Sequence, residues 1–164
     1  MSRLLGQELP PRLLEHLSGR DLRGRFGRVI PAVTVDPAGF PHPALLSFGE
    51  LVALDQRRIG LATYADSTTT ANMRQRGRLT LLLVEPDGTY YIKGTVRERS
   101  GGLPAFPGLA HLEMRVEQIL EDATREDLEG EARIASGLRF EAGPQAAALL
   151  ARSEALVAAL RRAG

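Results

Sequence analysis

The sequence predicts a mainly β protein (α+β): a six-stranded antiparallel split β-barrel with flanking N-terminal and C-terminal helices. Two observations lead to this prediction. Between residues 28 and 122, apolar residues recur with the two-residue period of strands, and turn sequences separate the extended runs at hairpin spacing. Towards both ends of the chain the period becomes helical. Short strands joined as hairpins favour a barrel over a doubly wound parallel sheet.

Six segments have the composition of strands, and they are residues 28–36, 40–48, 58–63, 78–84, 89–99 and 109–121. The last of these is ambiguous, because its apolar residues fit both a two-residue alternation and a helical stripe. Met114 and Val116 lie between alternating glutamates, which suits a half-exposed sheet. We therefore interpret residues 109–121 as a strand, with a helix as the alternative.

Turn residues join the strands into two hairpins. Pro37-Ala38-Gly39 connects the first pair, and the E-P-D-G sequence of residues 85–88 connects the second. Pro41 and Pro43 lack an amide donor, so the strand they begin should lie at a sheet edge or a bulge. Gly94 in mid-strand predicts a bulge or a close approach of two backbones.

Helical patterns cover residues 10–18, residues 67–75 and two parts of the C-terminal region 124–164. Thr124-x-x-Asp127 resembles a capping box and predicts a helix that closes near Gly137. Pro144 begins a second C-terminal helix with one apolar stripe. Residues 18–27 are interpreted as a connection rich in glycine and arginine. The whole chain, residues 1–164, is expected to form one domain with its strand core at about 28–122.

Composition narrows the classes of function. The 164 residues include no cysteine, which excludes disulfides and thiolate chemistry. The start of the chain has no apolar run of signal-peptide length, and no stretch approaches the roughly 20 apolar residues of a membrane span. We therefore expect a cytoplasmic protein without a membrane partner. A net charge of +1 and the absence of tryptophan argue against a nucleic-acid partner.

Charge is unevenly distributed along the chain. Six arginines lie within the first 28 residues, whereas residues 113–131 are strongly acidic. These two segments are either two solvated faces or surfaces that meet within the fold or across a dimer.

No enzyme motif stands out. His16, His42 and His111 lack the spacing of a zinc site, so no metal is expected. The chain contains no G-x-S-x-G elbow, no phosphate-binding loop and no dinucleotide fingerprint. The catalytic residues therefore stay unknown at this stage, and His42 is interpreted as a structural residue of its hairpin.

Three stretches together resemble a known family. They are VIPAVTVDPAGFPHPALLSF, RIGLATYADSTTTANMRQRGRLTLLLV and YYIKGTV. Their order and spacing are similar to those of the pyridoxamine 5'-phosphate oxidase-like split barrels, which bind flavin mononucleotide (FMN). The resemblance covers residues 28–97 well and continues more loosely to about 122. It implies a homodimer with the cofactor at the interface.

The resemblance also implies the positions that hold the cofactor. The turn after the third strand would bind the phosphate, the flavin ring would lie against the backbone near residues 44–47, and a lysine could add charge; the candidates are Thr63, Ser67, Thr68, Thr69, Asn72, Leu45, Ser47 and Lys93. Independently of the family, hydroxyls and amides at a helix start can present donors to an anion. The alternative is that residues 67–70 only cap a helix.

One position departs from the family pattern. Many members have a lysine or arginine near the position of Thr69. A phosphate would then need charge from Arg74, Arg76, Arg28 or Lys93 of either subunit. Because a charge-assisted hydrogen bond is roughly twice as strong as a neutral one, this departure weakens the expected FMN site.

The resemblance therefore implies an FMN-dependent oxidoreductase that acts on an unidentified small molecule. The alternatives are a non-catalytic flavin- or haem-binding split-barrel dimer, or a reductase that uses the deazaflavin F420. Oxidation of vitamin B6 itself is not expected, because the C-terminal region lacks a basic cluster for the substrate's phosphate apart from Arg161 and Arg162.

Overall fold

The computed structural model describes residues 2–86, 88–123, 126–130 and 133–164. Its strands are β1 (Arg3–Gly6), β2 (Val29–Val35), β3 (Pro41–Ser47), β4 (Leu51–Ala53), β5 (Arg58–Tyr64), β6 (Arg78–Glu85), β7 (Gly88–Glu98) and β8 (Leu109–Asp122). Its helices are α1 (Pro11–His16), α2 (Leu22–Arg25), α3 (Thr68–Arg76), α4 (Glu126–Glu129) and α5 (Ala146–Ala163), the last preceded by a 3-10 turn at Gly143–Gln145.

The strands form one curled antiparallel sheet. Their order is β3-β2-β6-β7-β8-β5-β4, and β1 pairs with β8. The strands at the two ends of this order, β3 and β4, are neighbours in sequence, because only residues 48–50 separate them. So short a connection forces the two ends of the sheet together and curls it into a split barrel. The predicted fold class is confirmed, and β1 and β4 are additional to the six predicted strands.

The ambiguous segment is the longest strand. β8 pairs with β5 on one side and with β7 and β1 on the other. It lies in the middle of the sheet, so the strand interpretation is confirmed and the helix alternative is wrong. The prediction for Pro41 and Pro43 is also confirmed, because β3 is an edge strand that pairs with β2 alone.

The core lies inside the curl of the sheet. Alternate residues of each strand point into it, and the largest fully buried side chains are Leu9, Leu13, Leu17, Ile30, Leu51, Ile59, Leu61, Met73, Leu81, Leu83, Ile92 and Leu112. Leu13 of α1 and Leu156, Val157 and Leu160 of α5 extend the core beyond the sheet. The helices therefore cover the barrel with apolar faces, as their period predicts.

Two local predictions differ from the structure, and a third falls on residues that the structure does not describe. Residues 18–27 are not a plain connection, because they contain α2, whose first turn is capped by a 3.1 Å hydrogen bond from Gly24 N to Asp21 Oδ1. The helix expected to close near Gly137 is wrong in extent, because α4 ends at Glu129 and residues 133–138 are not helical. Thr124 and its capping box lie outside the described residues.

The two charged segments meet only in part. Arg3 forms an ion pair with Glu121 of β8, whereas Arg25 and Arg28 bind Glu85 at the end of β6. Among the described helices, none is long and apolar enough to cross a membrane.

Gly94 lies where two backbones come closest. The register of β7 and β8 shifts between Lys93 and Gly94, and a Cβ atom at Gly94 would lie 2.0 Å from the carbonyl oxygen of Arg115. The predicted bulge and close approach are both present. Since no side chain fits without moving a central strand, only glycine satisfies this position.

We expect Gly94→Ala to lower the free energy of unfolding by about 2 kcal/mol or more, because it forces β7 away from β8. Urea denaturation of the purified variant measures this loss. Gly108→Ala is the matched control, because a Cβ there meets nothing within 4 Å. Equal stability of the two variants would contradict the close approach.

Candidate functional site

The turn after β5 is held by its own hydroxyl groups. Ser67 is the N-cap of α3, and its Oγ accepts a 3.2 Å hydrogen bond from Thr70 N. Thr70 Oγ1 donates to the carbonyl oxygen of Tyr64 at 2.7 Å and lies 2.6 Å from Thr63 Oγ1. Each hydroxyl has one proton, so Thr63 is the donor in the second contact. The buried hydroxyls of Thr63 and Thr70 are thus used to shape the turn.

Asn72 has a similar internal role. Its side chain is buried, and Nδ2 donates a 3.0 Å hydrogen bond to Thr34 Oγ1 of β2. Thr34 Oγ1 in turn donates to the carbonyl oxygen of His42 on β3 at 3.3 Å. This chain of hydrogen bonds ties α3 to the first hairpin through the backbone of His42.

The exposed surface of the turn carries little positive charge. Thr68 and Asp66 are exposed, whereas Thr69 is buried. Arg74 donates to both carboxylate oxygens of Glu98 at 2.7 Å and to the carbonyl oxygen of Ala65 at 2.8 Å. This hydrogen bonding lowers the pKa of Glu98. Of the sequence candidates in the turn, Thr68 is the one whose side chain is exposed to solvent.

Arg76 is also engaged. Its Nη2 donates to the carbonyl oxygens of Asp36 and Pro37, at 3.3 and 2.9 Å. It thereby fastens the tip of the first hairpin to the end of α3. Arg76 uses one nitrogen for these contacts, whereas all three side-chain nitrogens of Arg74 donate to Glu98 and Ala65.

A pocket of about 360 Å³ lies beside the edge strand β3. Leu45 and Ser47 of β3 line it, as does Tyr64 at the end of β5. Leu45 and Tyr64 are 64% and 57% exposed, and Ser47 binds Glu50 Oε2 through both its amide and its hydroxyl. The structure thus brings the strand predicted to face a flavin ring next to the start of the predicted phosphate turn.

The backbone of β3 offers unpaired groups to this pocket. Ser47 N bonds to Glu50, and Val29 N, opposite it on β2, bonds to the carbonyl oxygen of Leu138. Ser47 and Val29 therefore form a non-hydrogen-bonded pair of the ladder. Because such pairs alternate along antiparallel strands, the N–H and C=O of Leu45 also point away from β2.

Three of the described arginines line the pocket, and two of them, Arg25 and Arg28, share a buried partner. Arg28 Nη2 donates a 2.7 Å hydrogen bond to Glu85 Oε2, and Arg25 Nη1 lies 3.4 Å from Glu85 Oε1. Both guanidinium groups lie over the ring of Phe48, at 5.2 and 5.9 Å from its centroid. We call Arg25, Arg28, Glu85 and Phe48 the arginine cluster.

His16 borders the arginine cluster. Its Nδ1 lies 3.7 Å from Glu85 Oε1. Burial, and then the charge of Arg25, lowers the pKa of His16, which favours the neutral ring at pH 7.

Lys93 lies apart from the other candidates. It is an exposed residue of β7 that pairs with Thr80 of β6 and Gln118 of β8. On β8, the partner of Lys93 is Gln118, whereas the partner of Tyr64 is Leu109, which lies about 30 Å away along the strand. Within one subunit, Lys93 and the turn after β5 do not form one site.

Sequence reasoning did not assign Tyr64, Phe48 or the pairing of Arg25 with Glu85. A signal was present in the cluster of arginines at residues 20–28, but their partner lies about 60 residues away. Within the described ranges, no group of three or more histidine or acidic side chains is placed to hold a metal ion.

Fold and pocket together define an antiparallel split-barrel protein with a small-molecule-sized pocket at its edge strand. The sequence model of the family described as pyridoxamine 5'-phosphate oxidase matches residues 28–136, more than half of the chain. The chain therefore belongs to the pyridoxamine 5'-phosphate oxidase-like family.

Individual relatives are more distant. The uncharacterized protein YclD of Bacillus subtilis (strain 168) is 32% identical over 82 residues, or 50% of this chain and 53% of that protein. The chain thus matches about half the length of this relative.

Solved structures show the same fold at low sequence identity. A candidate pyridoxamine 5'-phosphate oxidase of Lactobacillus delbrueckii is 13% identical, with a TM-score of 0.57 over 73% of this chain and 98% of that one. HupZ of Group A Streptococcus is 17% identical, with a TM-score of 0.54 over 69% and 98%.

We expect Ser67→Ala to lower the free energy of unfolding by about 1 kcal/mol, because it removes the N-cap of α3. Thermal or urea denaturation in the absence of any ligand measures the effect. Thr68→Ala, one residue along and exposed, should leave stability nearly unchanged. Equal losses in the two variants would contradict a capping role for Ser67.

We expect acidification to destabilise the protein through His111. This residue of β8 is 2% exposed, and burial, followed by the charge of Arg99, lowers its pKa below the unfolded value of 6.5. The folded state then binds fewer protons than the unfolded state, so the stability that the neutral ring contributes is present above pH 6.5 and lost below it. Each such group steepens the pH dependence by up to about 1.4 kcal/mol per pH unit.

Urea midpoints between pH 7.5 and 5 measure this dependence. His111→Gln should flatten the curve below pH 6.5, whereas His42→Gln serves as a histidine control outside β8. An unchanged slope in His111→Gln would show that His111 does not carry the effect.

Proposed function

We propose that the protein is an FMN-dependent oxidoreductase that acts on a small organic molecule as a homodimer, with the flavin at the interface. The observation that carries the proposal is the pocket beside β3, where an unpaired strand backbone and the turn after β5 adjoin. Family membership supports the same cofactor class. When bound, the flavin would supply hydride or electron transfer, and the protein would supply binding and orientation.

The ring-binding part of the pocket fits a flavin. The outward N–H and C=O of Leu45 offer one donor and one acceptor to the polar edge of the ring system. Tyr64 and the side chain of Leu45 add exposed apolar surface. A rigid strand edge positions such groups without ordering a loop, which favours precise orientation of the ring.

The phosphate-binding part fits less well. We assign the phosphate to the first amides of α3 and the hydroxyl of Thr68, helped by the helix dipole. The exposed carboxylate of Asp66 precedes the cap and opposes an anion. We therefore expect weaker FMN binding than in relatives that have a base in this turn.

The outer face of the sheet supports a dimer. It carries Leu4 and Leu45, 62% and 64% exposed, and the partly buried Leu82, Tyr91 and Leu120 of three adjacent strands. Contiguous apolar surface of this kind marks a protein interface. Because Leu45 belongs to both this face and the pocket, a partner docked here would border the pocket.

Lys93 provides a source for the missing charge. It lies on the same outer face, at the register position opposite Thr80. In a dimer built on this face, Lys93 of one subunit would approach the partner's site. This arrangement would place a cation near the phosphate even though Thr69 is neutral.

A non-catalytic flavin-binding dimer is the alternative function. The observation that favours it is the use of Thr63, Thr70 and Arg74 for internal contacts, together with the engagement of Glu50, the carboxylate of the pocket lining, by Ser47. A bound flavin that cannot be reduced by a substrate distinguishes this alternative.

Titration of flavin-free protein with FMN, followed by visible absorption and sedimentation velocity, tests the proposal. We expect a dimer that binds one FMN per subunit and whose flavin is reduced anaerobically by NADH or NADPH. Leu82→Glu should produce a monomer that loses FMN, because it places a charge at the centre of the apolar face. Leu128→Glu is the matched control, because Leu128 is 71% exposed on α4.

A wild-type dimer that takes up no FMN would overturn the cofactor assignment. A monomeric wild-type protein that binds FMN would overturn the shared interface. Uptake of FMN without reduction by either nucleotide would support the non-catalytic alternative.

A further inference from the structure

Arg25 and Arg28 of the pocket lining supply more positive charge than their buried partner requires. Glu85 is 4% exposed and receives both Arg25 and Arg28. One guanidinium is enough to neutralise one carboxylate. The second guanidinium therefore leaves a net positive charge in the arginine cluster.

Both arginines keep unused donors. Arg28 donates through Nη2 to Glu85 and to the carbonyl oxygen of Val84, and Arg25 donates through Nη1 alone. Their side chains are 15% and 20% exposed, and within the described part of the chain no nitrogen of either is both buried and unpaired. The remaining N–H groups are therefore not enclosed in the core, and both arginines line the pocket.

The two guanidinium groups are positioned in advance. Both lie over the ring of Phe48, and each is paired with one carboxylate oxygen of Glu85. A guanidinium presents several N–H donors in one plane and binds a carboxylate or phosphate with two parallel bonds. Because these side chains are already ordered, an anion bound here costs little additional side-chain entropy.

Apolar side chains make up most of the remaining lining, and they are Leu22, Phe26, Leu46, Phe140, Leu149 and Leu156. Arg152 and Ser153 of α5 also line the pocket, so a further cation is near the two arginines. Glu50, a carboxylate of the lining, accepts hydrogen bonds from the amide and the hydroxyl of Ser47. A volume of about 360 Å³ is at the small end of the range for organic ligands.

We infer that this pocket binds an organic anion, a carboxylate or phosphate on an apolar or aromatic body, with the anionic group against Arg25 and Arg28. The assignment of this anion as the substrate rests on the proposed function, in which the flavin ring lies against the free backbone of Leu45. Because Leu45 lines the same pocket, an anion bound there would lie beside the flavin. The inference thereby names the substrate class: small amphipathic anions.

A matched pair of fluorescent probes tests the inference on flavin-free protein. 1-Anilinonaphthalene-8-sulfonate has an aromatic body with one anionic group, and N-phenyl-1-naphthylamine has the same body without it. We expect the wild type to bind the sulfonate at least about tenfold more tightly, the ratio that one charge-assisted contact contributes. Arg28→Gln should reduce this preference to near unity while Arg25 remains to neutralise Glu85.

Arg20→Gln is the control for net charge. Arg20 is exposed, pairs with Glu15 and does not line the pocket. It changes the charge of the protein by the same amount, so it should leave the preference unchanged. Equal affinity of the wild type for the two probes, or an undiminished preference in Arg28→Gln, would overturn the inference.

Competition on the wild type keeps the test valid if Arg28→Gln does not fold. Phenylacetate and phenyl phosphate should displace the bound sulfonate, whereas 2-phenylethanol should not. Displacement by FMN but by neither small anion would assign the arginines to the cofactor's phosphate and overturn the substrate class.

The two proposals can fail separately. A probe preference that depends on Arg28, in a protein that takes up no FMN, would leave the anion pocket standing and remove the oxidoreductase. If the wild type takes up FMN and the flavin is reduced, but the protein shows no preference for the anionic probe, the oxidoreductase stands and the anion pocket is removed.

Discussion

Residues 48–50 connect the two ends of the sheet, and the geometry of the site depends on how short this connection is. The chain leaves β3, the strand at one end of the order, and enters β4 at the other end after only three residues. An open sheet of this many strands would keep those ends far apart, so the sheet has to curl. The curl encloses the core and forms the pocket. Residues of the connection contribute to both, since Phe48 is buried beneath two guanidinium groups and Glu50 accepts a hydrogen bond from Ser47.

Buried polar groups account for much of what surrounds the pocket. A buried hydroxyl, amide or carboxylate without a partner costs about 1–3 kcal/mol, which favours folds that pair such groups. Thr63 donates to Thr70, Asn72 donates to Thr34, and Glu85 binds two arginines. The buried hydroxyls of the turn are thus used within the fold, and the groups left for a ligand are the first amides of α3, the backbone of an edge strand, and the unpaired donors of Arg25 and Arg28.

Prediction from sequence worked where the signal is local. The long strands were found because alternation over seven or more residues and their turns depend only on neighbours in sequence. β1 and β4, with four and three residues, are too short to show a period and exist because β8 and β5 provide partners. The helix expected to close near Gly137 is the opposite case, a local signal without the predicted element. A capping pattern alone does not ensure a helix, because most of the stability of a helix in a protein comes from tertiary packing.

Sequence reasoning reached the fold class, the edge position of β3, the bulge at Gly94 and the cap at Ser67. The fold class follows from the period of apolar residues and the spacing of turns, and the other three follow from properties of proline, glycine and serine that act within a few residues. The folded structure was needed to show which hydroxyls are used internally, and that Arg25 and Arg28 meet Glu85 across about 60 residues of chain. The physical reason is that burial and pairing are properties of the folded chain, since the partner of a buried charge is set by which strands the barrel brings together.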